Sequence, residues 1–195
     1  MSAKEYCEKF ADERDFWNIE YRAQGYIIAL GVNDIYHIMQ KNLELGSVED
    51  IDTDNYKNNK PTFAGYYAQI IQRYKEIQPN AKFFLMTLPS QHDSEKDAEW
   101  KAEYAEIADN QSELLYKLCE LFDNCYVLDF RKYAVKYNEE FKKIFFLGGH
   151  MNAMGYRLTA LMAESYIDYI IRHNIEDFKQ IGFVGTPYYN ECEKW

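Results

Sequence analysis

Several features that mark common protein classes are missing from this 195-residue chain. No CxxC spacing occurs, and four cysteines are too few for a disulfide scaffold, so we expect reduced thiols and no zinc site. These cysteines are Cys7, Cys119, Cys125 and Cys192. The longest apolar stretches, such as residues 26–32, fall far short of the roughly 18 residues that a membrane-spanning helix needs.

An excess of basic residues is also missing. The chain has 32 Asp and Glu against 22 Lys and Arg, a net charge of −10, which argues against nucleic acid or an anionic membrane as a partner. Residues 1–20 lack the apolar core and small-residue cleavage site of a secretory signal, so the protein as written is expected to be cytoplasmic. Secretion is the alternative if the true start lies upstream.

Apolar and aromatic residues, by contrast, are plentiful. They make up 47% and 17% of the chain, enough to bury a sizeable core in one domain over residues 1–195. Phosphate-loop, dinucleotide-binding and zinc-protease motifs do not occur, so no cofactor or metal is implied.

Hydrophobic periodicity predicts helices that alternate with short apolar strands. The predicted helices cover residues 3–20, 61–78, 100–121 and 152–173, with a further short helix that holds Ile35, Ile38 and Met39. The predicted strands cover 26–30, 82–88 and 125–129. Continuous apolar strands between long helices are typical of an α/β three-layer sandwich with a parallel sheet. Residues 45–60 are expected to form a loop, and residues 175–195 a tail that wraps around the domain.

Two segments carry unusual polar residues where a strand meets a helix, which is where open parallel sheets bind ligands. The first is Gly31-Val32-Asn33-Asp34, directly after the first strand. Gly31 permits a sharp turn, Asn33 offers an amide donor, and Asp34 can accept backbone N–H groups. Taken alone, this is a common strand-to-helix turn.

The second segment, residues 147–156, is glycine-rich and delivers His150 just before the last long helix. An imidazole at this position could act as a general base near neutral pH. A lone histidine, however, is more often structural or simply exposed.

Together the two segments resemble the SGNH hydrolases, the GDSL lipase and esterase family. The matching blocks are GxND, at Gly31 to Asp34, and His-x-Asn-x-x-Gly-Tyr, at His150 to Tyr156. Their order, their separation by two helix-strand units and their positions on the elements all fit that family. The resemblance covers about residues 25–174 and implies a flavodoxin-like parallel sheet.

The resemblance implies a role for each matching residue. Asn33 would donate to the oxyanion of a tetrahedral intermediate, with Gly31 and Asp34 supporting the turn, and His150 would serve as the base. The implied activity is hydrolysis of small acyl esters, with acetyl esters of carbohydrate as one candidate substrate.

The family's Gly-Asp-Ser nucleophile block, its second glycine block and its two N-terminal strands have no counterpart here. The nucleophile is therefore unassigned, because Ser2 resembles a helix cap and the other serines lie in unlike contexts. The triad acid normally stands three residues before the histidine, where this chain has Leu147. Asp129 is an alternative acid, and a Ser-His dyad oriented by a carbonyl or water is another.

Two explanations of the missing blocks remain open. An upstream segment could supply the absent strands and the serine, or this could be a short protein whose bare strand edge is covered by a second copy or by the tail. In the second case the chain could be an inactive relative that binds a ligand or a partner.

Overall fold

The computed structural model describes residues 1–90 and 96–178 and has a mixed α/β fold built on a three-stranded parallel sheet. The strands are β1 (Gly25–Ile28), β2 (Lys82–Met86) and β3 (Cys125–Leu128), and β2 lies in the middle. Tyr26 is in register with Phe83, and Phe83 with Cys125. The predicted α/β class and all three predicted strands are confirmed; the flavodoxin-like strand order remains a prediction.

Helices connect these strands and extend beyond them. They are α1 (Ala3–Glu5), α2 (Ala11–Glu13), α3 (Val32–Met39), α4 (Phe63–Ile77), α5 (Ala98–Leu121), α6 (Phe130–Tyr133), α7 (Glu139–Phe145) and α8 (Ala153–His173). A two-stranded antiparallel hairpin, β4 (Phe146–Leu147) with β5 (His150–Met151), lies between α7 and α8. The sequence did not predict α6, α7 or the hairpin.

One face of the sheet carries the main core. Successive residues of a strand point to opposite faces, so Ile28, Phe83 and Leu85 lie together beneath α4 and α5. The Tyr67 ring of α4 is fully buried there, and its hydroxyl donates to the Ile28 carbonyl oxygen at 3.0 Å. That hydrogen bond ties α4 to the end of β1.

The opposite face is only partly covered. Phe84 of β2 and Leu128 of β3 pack against Ala163 and Ile170 of α8. Ile27 of β1 points to the same face and is 55% exposed. The described helices therefore cover this face over β2 and β3 but leave it open at β1.

The N-terminal helix is shorter than its periodicity predicts. The helical segment includes a π-helical turn at Tyr6–Phe10 and ends with α2 at Glu13, after which Asp15 adopts a positive φ of 55°. This turn brings the Trp17 ring to 5.7 Å from Tyr6 and 5.0 Å from Tyr74. The prediction of a helix to residue 20 was wrong: the helix ends at Glu13, and the chain beyond it places Trp17 against the rings of Tyr6 and Tyr74.

The tail prediction can be followed only to Phe178. Ile175–Phe178 forms a 3-10 turn, and the Phe178 ring lies 6.1 Å from Phe84 and 5.1 Å from Tyr126. Residues 179–195 lie outside the described residues, as do 91–95. Within the described ranges no strand pairs with the outer edge of β1, so covering of that edge by a second copy stays a prediction.

No helix within residues 1–90 and 96–178 combines the length and the apolar character needed to cross a membrane.

Adjacent residues of β1 allow a test of this half-covered sheet. Ile28→Ala removes a side chain that is 6% exposed and should lower the free energy of unfolding by about 2–5 kcal/mol. Ile27→Ala removes an exposed one and should cost about 1 kcal/mol or less. Urea unfolding measures both, and equal losses would mean that Ile27 is covered in solution.

Candidate functional site

Gly31 makes the turn between β1 and α3. It adopts a φ of +136° and caps the helix that begins at Val32. A Cβ at this position would also lie 3.0 Å from Gln111 Oε1. The positive φ therefore favours glycine here, and any larger residue would also have to displace the Gln111 side chain.

Asn33 lies in the first turn of α3, just beyond the carboxyl end of β1. Its side chain is half-buried and has no hydrogen-bond partner within the described part of the chain. The amide is therefore available to a ligand at this edge, as an oxyanion donor would need to be.

Asp34 joins this turn to the N-terminal segment. The residue is fully buried, and its Oδ1 and Oδ2 accept from the Ala3 backbone N–H, with N to O distances of 2.9 and 3.1 Å. Burial raises the pKa of Asp34 to about 6, while the Ala3 hydrogen bond acts in the opposite direction. The carboxylate thus holds α1 beside the turn that carries Asn33.

His150 lies on the short hairpin and not on a simple loop. Gly148, with a φ of 65°, and Gly149 form its turn, and Leu147 pairs with His150. The imidazole is exposed and makes no hydrogen bond to any described residue. It is therefore accessible, but no protein group within the described ranges orients it.

The remaining motif residues fix the base of that hairpin. Asn152 caps α8, since its Oδ1 accepts from the backbone N–H of Met154 and of Gly155, both with N to O distances of 3.0 Å. Its Nδ2 also donates to the Ile144 carbonyl oxygen at 2.8 Å. A Cβ on Gly155 would lie 2.5 Å from the Phe145 carbonyl oxygen, so only glycine lets α8 begin this close to α7.

Both motif blocks lie toward the same edge of the sheet. Tyr137 links the loop after β2 to α8, because its N–H donates to the Ser90 carbonyl oxygen and its hydroxyl hydrogen-bonds with Thr159. The N-terminal half of α8 is thus held at the carboxyl ends of the strands, where Asn33 lies. Within the described residues, however, no hydrogen bond or ring contact joins His150 to Asn33.

Asp129, the alternative acid, has other partners. Its Oδ1 accepts from the Thr87 hydroxyl at 3.1 Å and the Lys132 N–H at 3.0 Å, and its Oδ2 accepts from the Tyr116 hydroxyl at 2.7 Å. It caps α6, and His150 is not among its described contacts. Leu147 is 81% exposed and offers no acid in its place.

Some of the described serine hydroxyls make a hydrogen bond within the protein and others do not. The Oγ of Ser2 accepts from the Glu5 N–H, the Oγ of Ser47 accepts from the Glu49 N–H, and the hydroxyl of Ser112 donates to the Ala108 carbonyl oxygen. The side chains of Ser90 and Ser165 have no hydrogen-bond partner among the described residues, and each residue lines a cavity. Ser94 lies outside the described residues.

Two cavities lie near the strand ends. The larger, of about 760 Å³, opens between α6 and α8 and is walled by Tyr133, Met162 and Tyr166. The smaller, of about 200 Å³, lies between α3 and α5 and is lined by Ser90 and Tyr104 among others. Hydrophobic periodicity predicts the helix over residues 100–121 that contains Tyr104, but it gives no sign that this hydroxyl is buried.

Within the described ranges, no three or more His, Cys, Asp or Glu side chains are grouped so that they could hold a metal ion. Comparisons with protein-family models, with curated proteins and with solved structures find no match. The resemblance to SGNH hydrolases therefore stays a prediction from the two motif blocks in the sequence.

The buried carboxyl of Asp34 should make stability depend on pH. Because its pKa in the folded protein is about 6, against 3.8 for an ordinary Asp, the folded state binds more protons than the unfolded state between these values. Its stabilising contribution is present below about pH 4 and is lost as the pH rises through 6. At 1.36 kcal/mol per pKa unit the loss is about 3 kcal/mol.

The variant Asp34→Asn isolates this effect. Wild type should become less stable relative to the variant as the pH rises from 4 to 7, measured by urea unfolding at each pH. Asp54→Asn, at an exposed site, controls for the loss of one surface charge. A stability difference between wild type and Asp34→Asn that does not change with pH would contradict the assignment.

Proposed function

We propose that this domain is an ester hydrolase of the SGNH type that acts on small acyl esters, with acetyl esters of carbohydrate as a candidate class. Asn33 donates its side-chain N–H to the oxyanion of the tetrahedral intermediate. His150 takes the proton from a serine hydroxyl and returns it to the leaving alcohol. The serine attacks the acyl carbon, and water then hydrolyses the acyl-enzyme.

The observation that carries this proposal is that two motif side chains, Asn33 and His150, are both accessible and unpaired within the described residues. Asn33 and His150 come from two motif blocks far apart in the chain, and both lie toward the carboxyl edge of one parallel sheet. Neither side chain has a hydrogen-bond partner among the described residues. Because both side chains also reach solvent, each is accessible to a ligand bound at this edge of the sheet.

Ser90 is the described serine whose position fits a nucleophile best. It follows β2 at the edge of the sheet that carries Asn33, and its hydroxyl is free within the described ranges. Ser2 lies beside Ala3 and Asp34 at the same edge, but its Oγ caps α1. Position alone does not identify the nucleophile, so covalent labelling of the reactive serine is needed to assign it.

A second candidate function is ligand binding without turnover. It is favoured by the fact that none of the described serine hydroxyls contacts His150 and by the full set of partners around Asp129. A binding domain would use the same edge of the sheet and would show no covalent chemistry.

Fluorophosphonate labelling separates the two functions. If the domain is a hydrolase, intact-mass measurement should show one adduct per chain, and His150→Ala should abolish it, because the serine loses its base. His173→Ala removes an exposed histidine at the far end of α8 and should leave labelling unchanged. An unlabelled wild-type chain would favour the binding function, and peptide mapping of a labelled chain identifies the serine.

The oxyanion role of Asn33 has its own test. Asn33→Ala should lower kcat for hydrolysis of an acetyl ester by about 10²–10³-fold, the usual effect of removing one oxyanion donor. Asn42→Ala, at an exposed position after α3, should have no effect. Equal rates for Asn33→Ala and wild type would remove Asn33 from the catalytic machinery.

A further inference from the structure

The smaller cavity, between α3 and α5, is lined by a buried hydroxyl that has no partner among the described residues. Tyr104 is 6% exposed, and no described residue hydrogen-bonds its hydroxyl. An unpaired buried hydroxyl costs about 1–3 kcal/mol, so folded proteins rarely retain one without a use. The cavity that Tyr104 lines is the space in which a partner could lie.

The described lining of the cavity includes two cationic side chains and no carboxylate. Arg131 lines it, donating from Nε to Asp109 at 2.7 Å and from Nη2 to the Ala105 carbonyl oxygen at 3.2 Å. Its Nη1 has no partner in the described part of the chain, and Arg131 is near enough to lower the pKa of Tyr104 against the larger effect of burial. Lys101, which also lines the cavity, makes no described ion pair.

Aromatic rings form the other wall. Trp100 and Tyr104 are stacked with their centroids 5.1 Å apart, and the Tyr36 ring lies 6.1 Å from Trp100 and 6.2 Å from Tyr104. Such a surface favours a flat or ring-shaped group. The volume of about 200 Å³ is below the usual range for drug-sized ligands and suits a small molecule.

We propose that this cavity binds a small carboxylate whose oxygens accept from the Tyr104 hydroxyl and from Arg131 and whose ring lies against Trp100. A carboxylate matches the donors because it is planar, carries one negative charge and has two oxygens. Ser90, the candidate nucleophile, lines the same cavity, but the carboxylate site rests on Tyr104, Arg131 and Trp100 and does not depend on ester hydrolysis.

Benzoate is a suitable probe, with benzyl alcohol as its neutral counterpart and inorganic phosphate as an anion without a ring. Isothermal titration of the full chain should show benzoate binding at least tenfold more tightly than either. Binding of all three with equal affinity, or of none, would overturn the proposal.

Tyr104→Phe tests the hydroxyl without disturbing the fold. The variant should bind benzoate at least tenfold more weakly, as expected for loss of a hydrogen bond to a charged group. Because no described residue hydrogen-bonds the hydroxyl, the Tm of the unliganded variant should not fall below that of wild type. A lower Tm with unchanged benzoate affinity would show that the hydroxyl is structural.

Two further variants complete the design. Lys101→Met, at a half-exposed site, should weaken benzoate binding several-fold by removing a positive charge. Tyr133→Phe changes an exposed tyrosine of the larger cavity and should leave the affinity unchanged. Weakening by Tyr133→Phe, but not by Tyr104→Phe, would move the site to the larger cavity and overturn the proposal.

Discussion

A parallel sheet must be covered on both faces, and with three strands only β2 can have a neighbour on each side. That constraint shapes the described structure. Phe83, Phe84 and Leu85 of β2 are all buried, because α4 and α5 cover one face and α8 the other. β1 receives helices on one face only. The candidate site is built at the end of this less protected strand, and its turn is held by the buried contact between Asp34 and Ala3.

The sequence predicted those parts of the fold that local patterning determines. Residues 82–86 read as a strand because every side chain is apolar apart from Lys82, and α5 and α8 repeat their apolar residues at helical spacing. The N-terminal helix was overextended because residues 14–20 keep a helical pattern while packing of Trp17 onto Tyr74 decides their path. That contact joins residues 57 positions apart, and no local pattern encodes it.

The motif residues were singled out because they resemble blocks of a hydrolase family. In the structure, most of them have a structural role instead. Gly31, Asn152 and Gly155 meet demands of the backbone: a positive φ, a helix cap and a close approach of two segments. These demands would preserve much of both blocks in a protein without catalytic activity. Asn33 and His150 are the exceptions, since no backbone demand explains either side chain. The distinction separates the residues that build the site from the residues that could react.

The hairpin that carries His150 has an energetic consequence. A Cβ placed on Gly148 or Gly149 would meet no atom of the described residues within 4 Å, so these two glycines face open space there. An exposed imidazole without a protein partner, such as that of His150 within the described residues, can adopt many orientations. Proton transfer would require only a few of these orientations. Substrate binding would then have to supply the orientational entropy that a rigid scaffold provides in advance. If the domain is the proposed hydrolase, contacts far from the scissile bond would therefore influence kcat as well as KM.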